Sequence, residues 1–469
     1  MNYTDFTQIT ADSRKVVPGT LFVAVKGFSS DGHHYIADAI AKGAAGILCE
    51  YLPEGIDTQG VQVGVVENSR KALALAADAF YGHPSGELRL VGITGTNGKT
   101  TTVTLLYKLF KRLGYRCGLL STIANYVDDK RLETANTTVD PVTLNRLLRE
   151  MVDAGCDYCF MEVSSIGVEQ DRVTGLDFAV GIFSNLTHDH LDYHGTFAEY
   201  LRCKKLFFDR LPKRAVALIN TDDKNGPVMV QNTAAKVVTY AVKGLADHTA
   251  RILEQGMDGM LLRIDGQETW CRLIGEHNAY NLLAVYAAAL ALGADATETL
   301  VALSNLESAP GRLENLRGPR EITVVIDYAH TPDALENVLK TLRAVAPERQ
   351  LICLFGCGGD RDKTKRPEMA QVAQEGADRL VITSDNPRTE DPEAIIADIR
   401  AGLSPKGAAK ALVITDRREA IRTAILTAPE GATILLAGKG HEDYQVIGHE
   451  KTHMDEREIV AETFKQMLS

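Results

Sequence analysis

The chain has 469 residues, 45% of them apolar, 24% charged and 6% aromatic, and a net charge of −11. That length allows roughly two to four domains, each with a core of its own. The acidity speaks against nonspecific nucleic-acid binding, although a local basic site could still hold phosphates, and no run of about eighteen apolar residues predicts a membrane span.

The opening stretch Met1–Phe6 has no basic region followed by an apolar one, so no secretory leader is expected. Short strands are predicted at Leu21–Val25 and Gly46–Cys49, with a helix from Tyr35 to Lys42 that ends at the C-capping Gly43. An alanine-rich helix runs from Ser69 to Tyr81. The breaker Gly82-His83-Pro84-Ser85-Gly86 then marks the first domain boundary.

The second block opens with the strand Leu88–Ile93 and a glycine-rich turn, Gly95-Thr96-Asn97-Gly98-Lys99-Thr100-Thr101, ahead of a helical run from Thr102 to Leu113. Glycines let backbone N–H groups point inward, and a helix N-terminus adds positive potential, so this order suits a phosphate. Lys99 would neutralise the β/γ-phosphates, and the Thr100 hydroxyl would ligate Mg²⁺. Ile93 stands where the full phosphate-loop pattern has its first glycine.

Strands follow at Tyr158–Val163, Phe178–Phe183 and Arg214–Ile219. The first carries Glu162-Val163-Ser164-Ser165 at its end. After the second comes Asp189-His190-Leu191-Asp192-Tyr193-His194-Gly195. A carboxylate and an imidazole at strand ends beside a phosphate loop could help hold Mg²⁺ on a nucleotide. Lys204 and Lys205 lie on a helical stretch from Ala198 to Phe208; from the residues alone, adjacent helical lysines read as a solvated face.

The third block starts near Ala309-Pro310-Gly311-Arg312 and alternates strands with helical segments. The strands are Ile322–Ile326, Gln350–Phe355, Arg379–Thr383, Ala411–Ile414 and Thr433–Ala437. This is the pattern of a parallel sheet with right-handed crossovers, whose ligands bind beyond the carboxyl ends of the strands. Those ends carry Asp327, Gly356-Cys357-Gly358-Gly359-Asp360, Ser384-Asp385-Asn386 and Gly438-Lys439-Gly440-His441. The expected fold class is α/β in three domains: residues 1–86, a central P-loop parallel-sheet ATPase domain at 87–312, and a Rossmann-like parallel-sheet domain at 313–469. Eight cysteines are scattered through apolar segments and read as reduced thiols. The C-x-x-C spacing of Cys156 and Cys159 has no second ligand pair and reads as two small core residues.

Taken in order, the phosphate loop, Ala135-Asn136-Thr137-Thr138, Glu162–Ser165, Asp189–Gly195, Asp327-Tyr328-Ala329-His330-Thr331-Pro332-Asp333 and Gly438-Lys439-Gly440-His441-Glu442 resemble the Mur ligase family from about Asp12 to Gln445. Within the family they are most similar to the members that add the third amino acid to a UDP-N-acetylmuramoyl peptide. The resemblance implies a cytoplasmic ATP- and Mg²⁺-dependent ligase of peptidoglycan synthesis, and so a role in cell-wall biogenesis, cell shape and division. It implies a monomer with no nucleic-acid partner and no membrane insertion.

The resemblance also implies roles. Lys99, Glu162, His190 and Lys204 would be catalytic. Lys204 would be carried as a carbamate, an anion on a long arm that holds metal with Thr100, Glu162 and His190. Gly95 to Thr101, His277, Asn278, Asn281, Arg312 and Asp327 would contact ATP. Ser13, Phe28, Ser29, Ser30, Asn136, Thr137, Thr138, Ser164, Gln170 and Arg172 would bind the UDP-muramoyl dipeptide. Arg361, Asp385, Asn386, Pro387, Arg388, Gly438 and Glu442 would bind the incoming amino acid. Two positions depart from the family pattern: Ile166 stands where many members have His, and Val139 where many have Pro.

By the same resemblance, ATP would phosphorylate the glutamate side-chain carboxylate, and an amine would displace phosphate from the acyl phosphate. The amino acid would be meso-diaminopimelate, because Arg388 can grip its extra carboxylate with a two-pronged hydrogen bond. The alternatives are a lysine-adding version, which would set Arg388 against an ammonium; a folylpolyglutamate synthase, which has no use for the Asp12-Ser13-Arg14 block; and a catalytically decayed nucleotide-binding regulator.

Overall fold

The computed structural model describes residues 1–27, 30–134, 136–187 and 191–468, with only the backbone of Leu191 and Asp192. Phe28, Ser29 and His190, expected at the site, lie outside the described residues. The chain divides into two compact units. The first is Met1–Arg251 with Arg263–Thr269 and Ala279–Leu306; the second is Ile252–Leu262 with Trp270–Asn278 and Glu307–Ser469.

The first unit begins with a four-stranded parallel sheet in the order Gln8–Thr10, Thr20–Val23, Gly46–Cys49, Gln62–Val65. The helix Ser69–Phe80 covers it, capped by Asn68, whose side chain accepts from the Lys71 N–H. Leu73, Ala76 and Ala77 pack with Phe6, Leu21, Val23 and Leu48. The small alanines let the helix approach the strands closely. The helix expected at Tyr35–Lys42 is split: a 3₁₀ turn, Gly32–Tyr35, precedes the α-helix Ile36–Ala41. The Asp31 carboxylate accepts from the His33 N–H and so favours the tighter turn.

A second sheet has eleven strands, and six adjacent parallel ones lie wholly in this unit, in the order Lys236–Ala241, Val216–Asn220, Phe178–Phe183, Arg89–Thr94, Tyr158–Glu162, Cys117–Leu120. The central strands are buried along their length, as a sheet covered on both faces requires. Beyond Cys117–Leu120 an antiparallel hairpin, Asn125–Val127 and Lys130–Leu132, extends the edge. All eight cysteines are free and buried. Burial raises the Cys156 and Cys159 thiols, which makes them inert core residues.

The second unit holds a six-stranded sheet in the order Glu314–Arg317, Thr323–Asp327, Thr433–Ala437, Leu351–Phe355, Arg379–Ile382, Ala411–Val413. The five expected strands are present and parallel. The edge strand Glu314–Arg317 is antiparallel and follows no strong apolar pattern. One core lies on each face. Arg417 and Glu456 are both fully buried and pair at 2.8 Å. Removing either partner would strand a buried charge, at a cost of about 3–5 kcal/mol.

Candidate active site

The phosphate loop joins the strand Arg89–Thr94 to the helix Lys99–Arg112. The helix starts at Lys99 rather than Thr102, because Gly98 takes the left-handed conformation (φ 88°) that ends the loop. A Cβ on Gly98 would also stand 2.5 Å from Asn281 Oδ1. Thr102 donates to that same oxygen at 3.3 Å. Asn281, expected at the nucleotide, thus lies against the loop. The neighbouring strand end braces it from outside: Thr96 N donates to Asn185 O at 2.8 Å and Asn97 N to Asn185 Oδ1 at 2.9 Å.

Two ammonium groups converge on this loop. Lys99 Nζ donates to Gly95 O at 2.9 Å and to Thr96 O at 2.8 Å. Lys204 Nζ donates to Gly95 O at 2.8 Å and lies 4.6 Å from the centre of the Tyr200 ring. Lys204 is 1% exposed, so the solvated-face reading of its helix is corrected. The helix Phe197–Asp209 turns Lys204 inward together with Tyr200, four residues earlier, while Lys205 pairs with Asp209 at 2.6 Å.

Glu162 ends the strand Tyr158–Glu162 and is 1% exposed. One carboxylate oxygen accepts from Thr122 N at 2.8 Å. Its carbonyl accepts from Thr138 Oγ1 at 3.0 Å, and Thr138 Oγ1 accepts in turn from Ser164 N at 3.0 Å. The Thr137–Thr138 loop is therefore tied to the same strand end. Thr137 Oγ1 accepts from Thr122 Oγ1 at 3.0 Å. Ser164 caps the helix Ser165–Glu169. Arg172 donates to Thr138 O at 2.5 Å and to Gln170 Oε1 at 2.7 Å, and Gln170 donates to Tyr193 OH at 3.0 Å. Asn136 is exposed at the rim of a cleft of about 420 Å³. Near the departure at Ile166, His194 Nε2 lies 2.9 Å from Ser165 Oγ.

Ser13 and Ser30 lie on separate turns of the N-terminal sheet. Ser13 opens the 3₁₀ turn Ser13–Lys15, and its carbonyl accepts from Lys42 Nζ at 3.0 Å. Ser30 Oγ donates to Tyr35 OH at 3.3 Å.

In the second unit Asp327 ends a buried strand. Its two carboxylate oxygens accept from Leu313 N and Ala329 N, each at 2.8 Å. Burial raises its carboxyl, and the Arg312 guanidinium pulls the other way. Arg312 stacks 5.0 Å from the centre of the Tyr328 ring. His277 is exposed, whereas Asn278 is buried and donates to Ile274 O at 2.8 Å.

The expected amino-acid residues are brought together by two loops. The first carries Asp385, Asn386, Pro387 and Arg388; the second runs from Gly438 to Gln445. Asn386 Nδ2 donates to Glu442 Oε2 at 2.9 Å, and Gln445 Nε2 donates to Asp385 O at 2.6 Å. A Cβ on Gly438 would meet Asp385 Oδ2 at 2.7 Å, so only glycine lets the loops approach this closely. Arg388 has a φ of 51°, and its backbone N–H donates to Val446 O at 3.1 Å. Its Nη1 donates to Gly359 O at 2.8 Å. Burial raises Glu442 above the ordinary glutamate range, opposed by the charge of Lys439. Arg361 is exposed beside this cluster, with Cγ 3.8 Å from where a Gly358 Cβ would stand.

Three groups at the site escaped the residue-by-residue reading. Tyr200 links Thr96 Oγ1, at 3.1 Å, to the Lys204 ammonium; its spacing of four from Lys204 on a helix was the available signal. Thr122 meets Glu162 through its backbone N–H, a contact that leaves no sequence signal. Lys439 is fully buried between the two amino-acid loops; a lysine flanked by glycines at a strand end was the clue.

Three family models match the chain. The Mur ligase family, catalytic domain, matches residues 5–81; the Mur ligase middle domain matches 93–289; the Mur ligase, glutamate ligase domain, matches 311–440. The chain is 52% identical over 458 residues to the UDP-N-acetylmuramoyl-L-alanyl-D-glutamate–2,6-diaminopimelate ligase of Cytophaga hutchinsonii, covering 98% of this chain and 94% of that protein. It is 43% identical to the ligase of the same name from Geobacillus kaustophilus, covering 98% and 95%. A solved structure of a ligase of that name superposes with a TM-score of 0.72 at 33% identity, covering 99% of this chain and 96% of that one. A folylpolyglutamate synthase of Mycobacterium tuberculosis, solved with ADP and AMPPCP, shares the fold alone: TM-score 0.63 at 21% identity, over 79% of this chain and 92% of that one.

Proposed function

The chain belongs to the Mur ligase family, and from that premise we propose that it joins meso-diaminopimelate to the glutamate of UDP-N-acetylmuramoyl-L-alanyl-D-glutamate, consuming ATP. It is an ATP-dependent acid–amino-acid ligase of peptidoglycan synthesis. Residues 1–86, 87–312 and 313–469 act in this reading as domains for the UDP moiety, for ATP and for the amino acid. The reaction takes place in the cytoplasm, in keeping with eight free thiols and with the absence, among the described residues, of any helix long and apolar enough to cross a membrane.

The reaction has two steps. A glutamate carboxylate oxygen attacks the γ-phosphorus of ATP, and ADP leaves. The amine of diaminopimelate then adds to the acyl-phosphate carbon and loses a proton, and phosphate leaves as the amide forms. Both steps bring anions together, so the protein's task is charge neutralisation and alignment. Lys99, the loop N–H groups and the N-terminus of its helix receive the phosphates. Asn281 steadies the loop from the side. Thr137, Thr138, Ser164, Gln170 and Arg172 hold the dipeptide arm, with Ser13 and Ser30 toward the uridine end.

Mg²⁺ fits the donors beside this loop: the Thr100 hydroxyl, the Glu162 carboxylate and the oxygens of a Lys204 carbamate; the His190 imidazole, which lies outside the described residues, would complete the set. All but the imidazole are hard oxygen ligands. When bound, the ion neutralises phosphate charge. Lys204 in amine form donates to Gly95 O at 2.8 Å; addition of CO₂ to the neutral amine would turn a cation at this position into an anion.

The observation that carries the choice of amino acid is the tie between the loop of Arg388 and the loop of Glu442. Asn386 donates to Glu442 at 2.9 Å, and Arg388 follows two residues on. Arg388 is suited to a distal carboxylate and Glu442 to a distal ammonium, the two groups at the far end of diaminopimelate. A phosphate-release assay with the UDP-dipeptide and either diaminopimelate or lysine tests this. Release with diaminopimelate and little with lysine is expected; release with lysine alone, or none despite ATP binding, would overturn it.

A further inference from the structure

Lys439, in the second amino-acid loop, is fully buried (0% exposed), and it faces the carboxylates of Asp385 and Glu442. Its Nζ lies 3.4 Å from Asp385 Oδ1 and 3.4 Å from Glu442 Oε2. It donates to Asn386 Oδ1 at 2.9 Å and to Tyr444 O at 2.7 Å. Asn386 Oδ1 also accepts from Val446 N at 2.9 Å, and Asn386 Nδ2 donates to Glu442. One ammonium therefore touches the side chains of Asp385, Asn386 and Glu442 together.

The charge pattern has a chemical consequence. Two carboxylates, Asp385 and Glu442, stand within 3.4 Å of the Lys439 ammonium, and Arg388, the expected partner of a distal carboxylate, lies in the same loop as Asp385. A wall with balanced charge suits a zwitterionic group, whose ammonium meets a carboxylate and whose carboxylate meets the guanidinium. With Lys439 neutral, Asp385 and Glu442 would lose the ammonium that lies against both of them. That wall would favour a bare ammonium, the end that lysine presents. A lysine that only pinned the loops together could do so through Asn386 and Tyr444 O, with no need to approach the carboxylates.

We propose that Lys439 is a specificity-determining positioning residue: it sets the charge balance of the pocket wall so that a zwitterionic end is preferred over a monocationic one. The proposal rests on the reading that this pocket takes diaminopimelate.

The test compares kcat/KM for diaminopimelate and for lysine in the full-length enzyme and in three variants. Lys439→Gln keeps a hydrogen-bonding end and removes the charge. It should lower the diaminopimelate-to-lysine ratio by about tenfold or more, through KM of the amino acid, with KM for ATP and for the UDP-dipeptide unchanged. Asp385→Asn shifts the balance the other way and should raise the ratio. Lys439→Arg should leave it near the wild-type value. Ratios that fall in both Lys439→Gln and Asp385→Asn, or a wild-type ratio in Lys439→Gln, would overturn the proposal. If Lys439→Gln does not fold, Asp385→Asn decides alone, and a ratio that fails to rise overturns it. Wild-type enzyme that does not prefer diaminopimelate would instead break the functional reading, so the two failures are distinguishable.

Discussion

Lys99 and Lys204 donate to the same carbonyl oxygen, that of Gly95, at 2.9 and 2.8 Å. They come from different helices, Lys99–Arg112 and Phe197–Asp209, and one backbone oxygen positions both. They have opposite futures in the reaction: Lys99 must remain a cation against the phosphates, while Lys204 is proposed to become an anion.

Lys99→Ala removes the side chain that answers the phosphate charge where it builds up. Phosphate release with both substrates should fall by about 10³-fold or more. A variant that turned over at the normal rate would sink the reading of the loop.

Lys204→Arg keeps a cation on a long arm but cannot carry a carbamate under these conditions. The rate should fall by about 10²-fold or more, while ATP still binds. In wild-type enzyme, ¹³C-labelled bicarbonate should give a carbamate signal that the variant lacks. An arginine variant of ordinary activity would refute the carbamate.

Arg388→Ala removes the partner proposed for the distal carboxylate. KM for diaminopimelate should rise by about 10- to 100-fold, equivalent to roughly 1.5–3 kcal/mol for a charged hydrogen bond. The KM for ATP should hold. Parallel titrations of the amino acid and of ATP check this; an equal rise in both would point to general loss of structure.

Glu442 gives a pH dependence. Burial lifts its carboxyl above the ordinary glutamate range, so it takes up a proton at a higher pH than an exposed glutamate as the pH falls. Protonated, it no longer attracts an ammonium. KM for diaminopimelate should therefore climb on the acid side, starting above the usual glutamate range, and the climb should be missing in Glu442→Gln. The contribution to stability has the other sign: the folded state binds this proton more tightly than the unfolded one, so the contribution declines as the pH rises from the unfolded value through the folded one.

Much of the fold was legible because each unit repeats a simple grammar. Apolar runs such as Phe178–Phe183 and Thr433–Ala437 could only be buried strands, and glycine-rich turns marked where they meet helices. Helix starts were less legible. Lys99 and Thr100 read as loop, yet they form the first turn of a helix because Gly98 has already turned the chain. The edge strand Glu314–Arg317 was invisible: its polar residues are recruited by pairing with Thr323–Asp327, not by burial.

The sequence by itself determined the class of chemistry, because a strand, a glycine loop, Lys-Thr and a helix in register have few uses other than holding phosphate, and the order of the later motifs narrows the family. Only the tertiary structure decided which charges stand together. As residue types on one helix Lys204 and Lys205 both read as solvated, yet one is buried against Gly95 and the other pairs with Asp209. Likewise Lys439 reaches Asp385, far from it in the chain, at 3.4 Å. Electrostatic energy depends on separation in space and on the dielectric between the groups, and neither is a property of position along a chain.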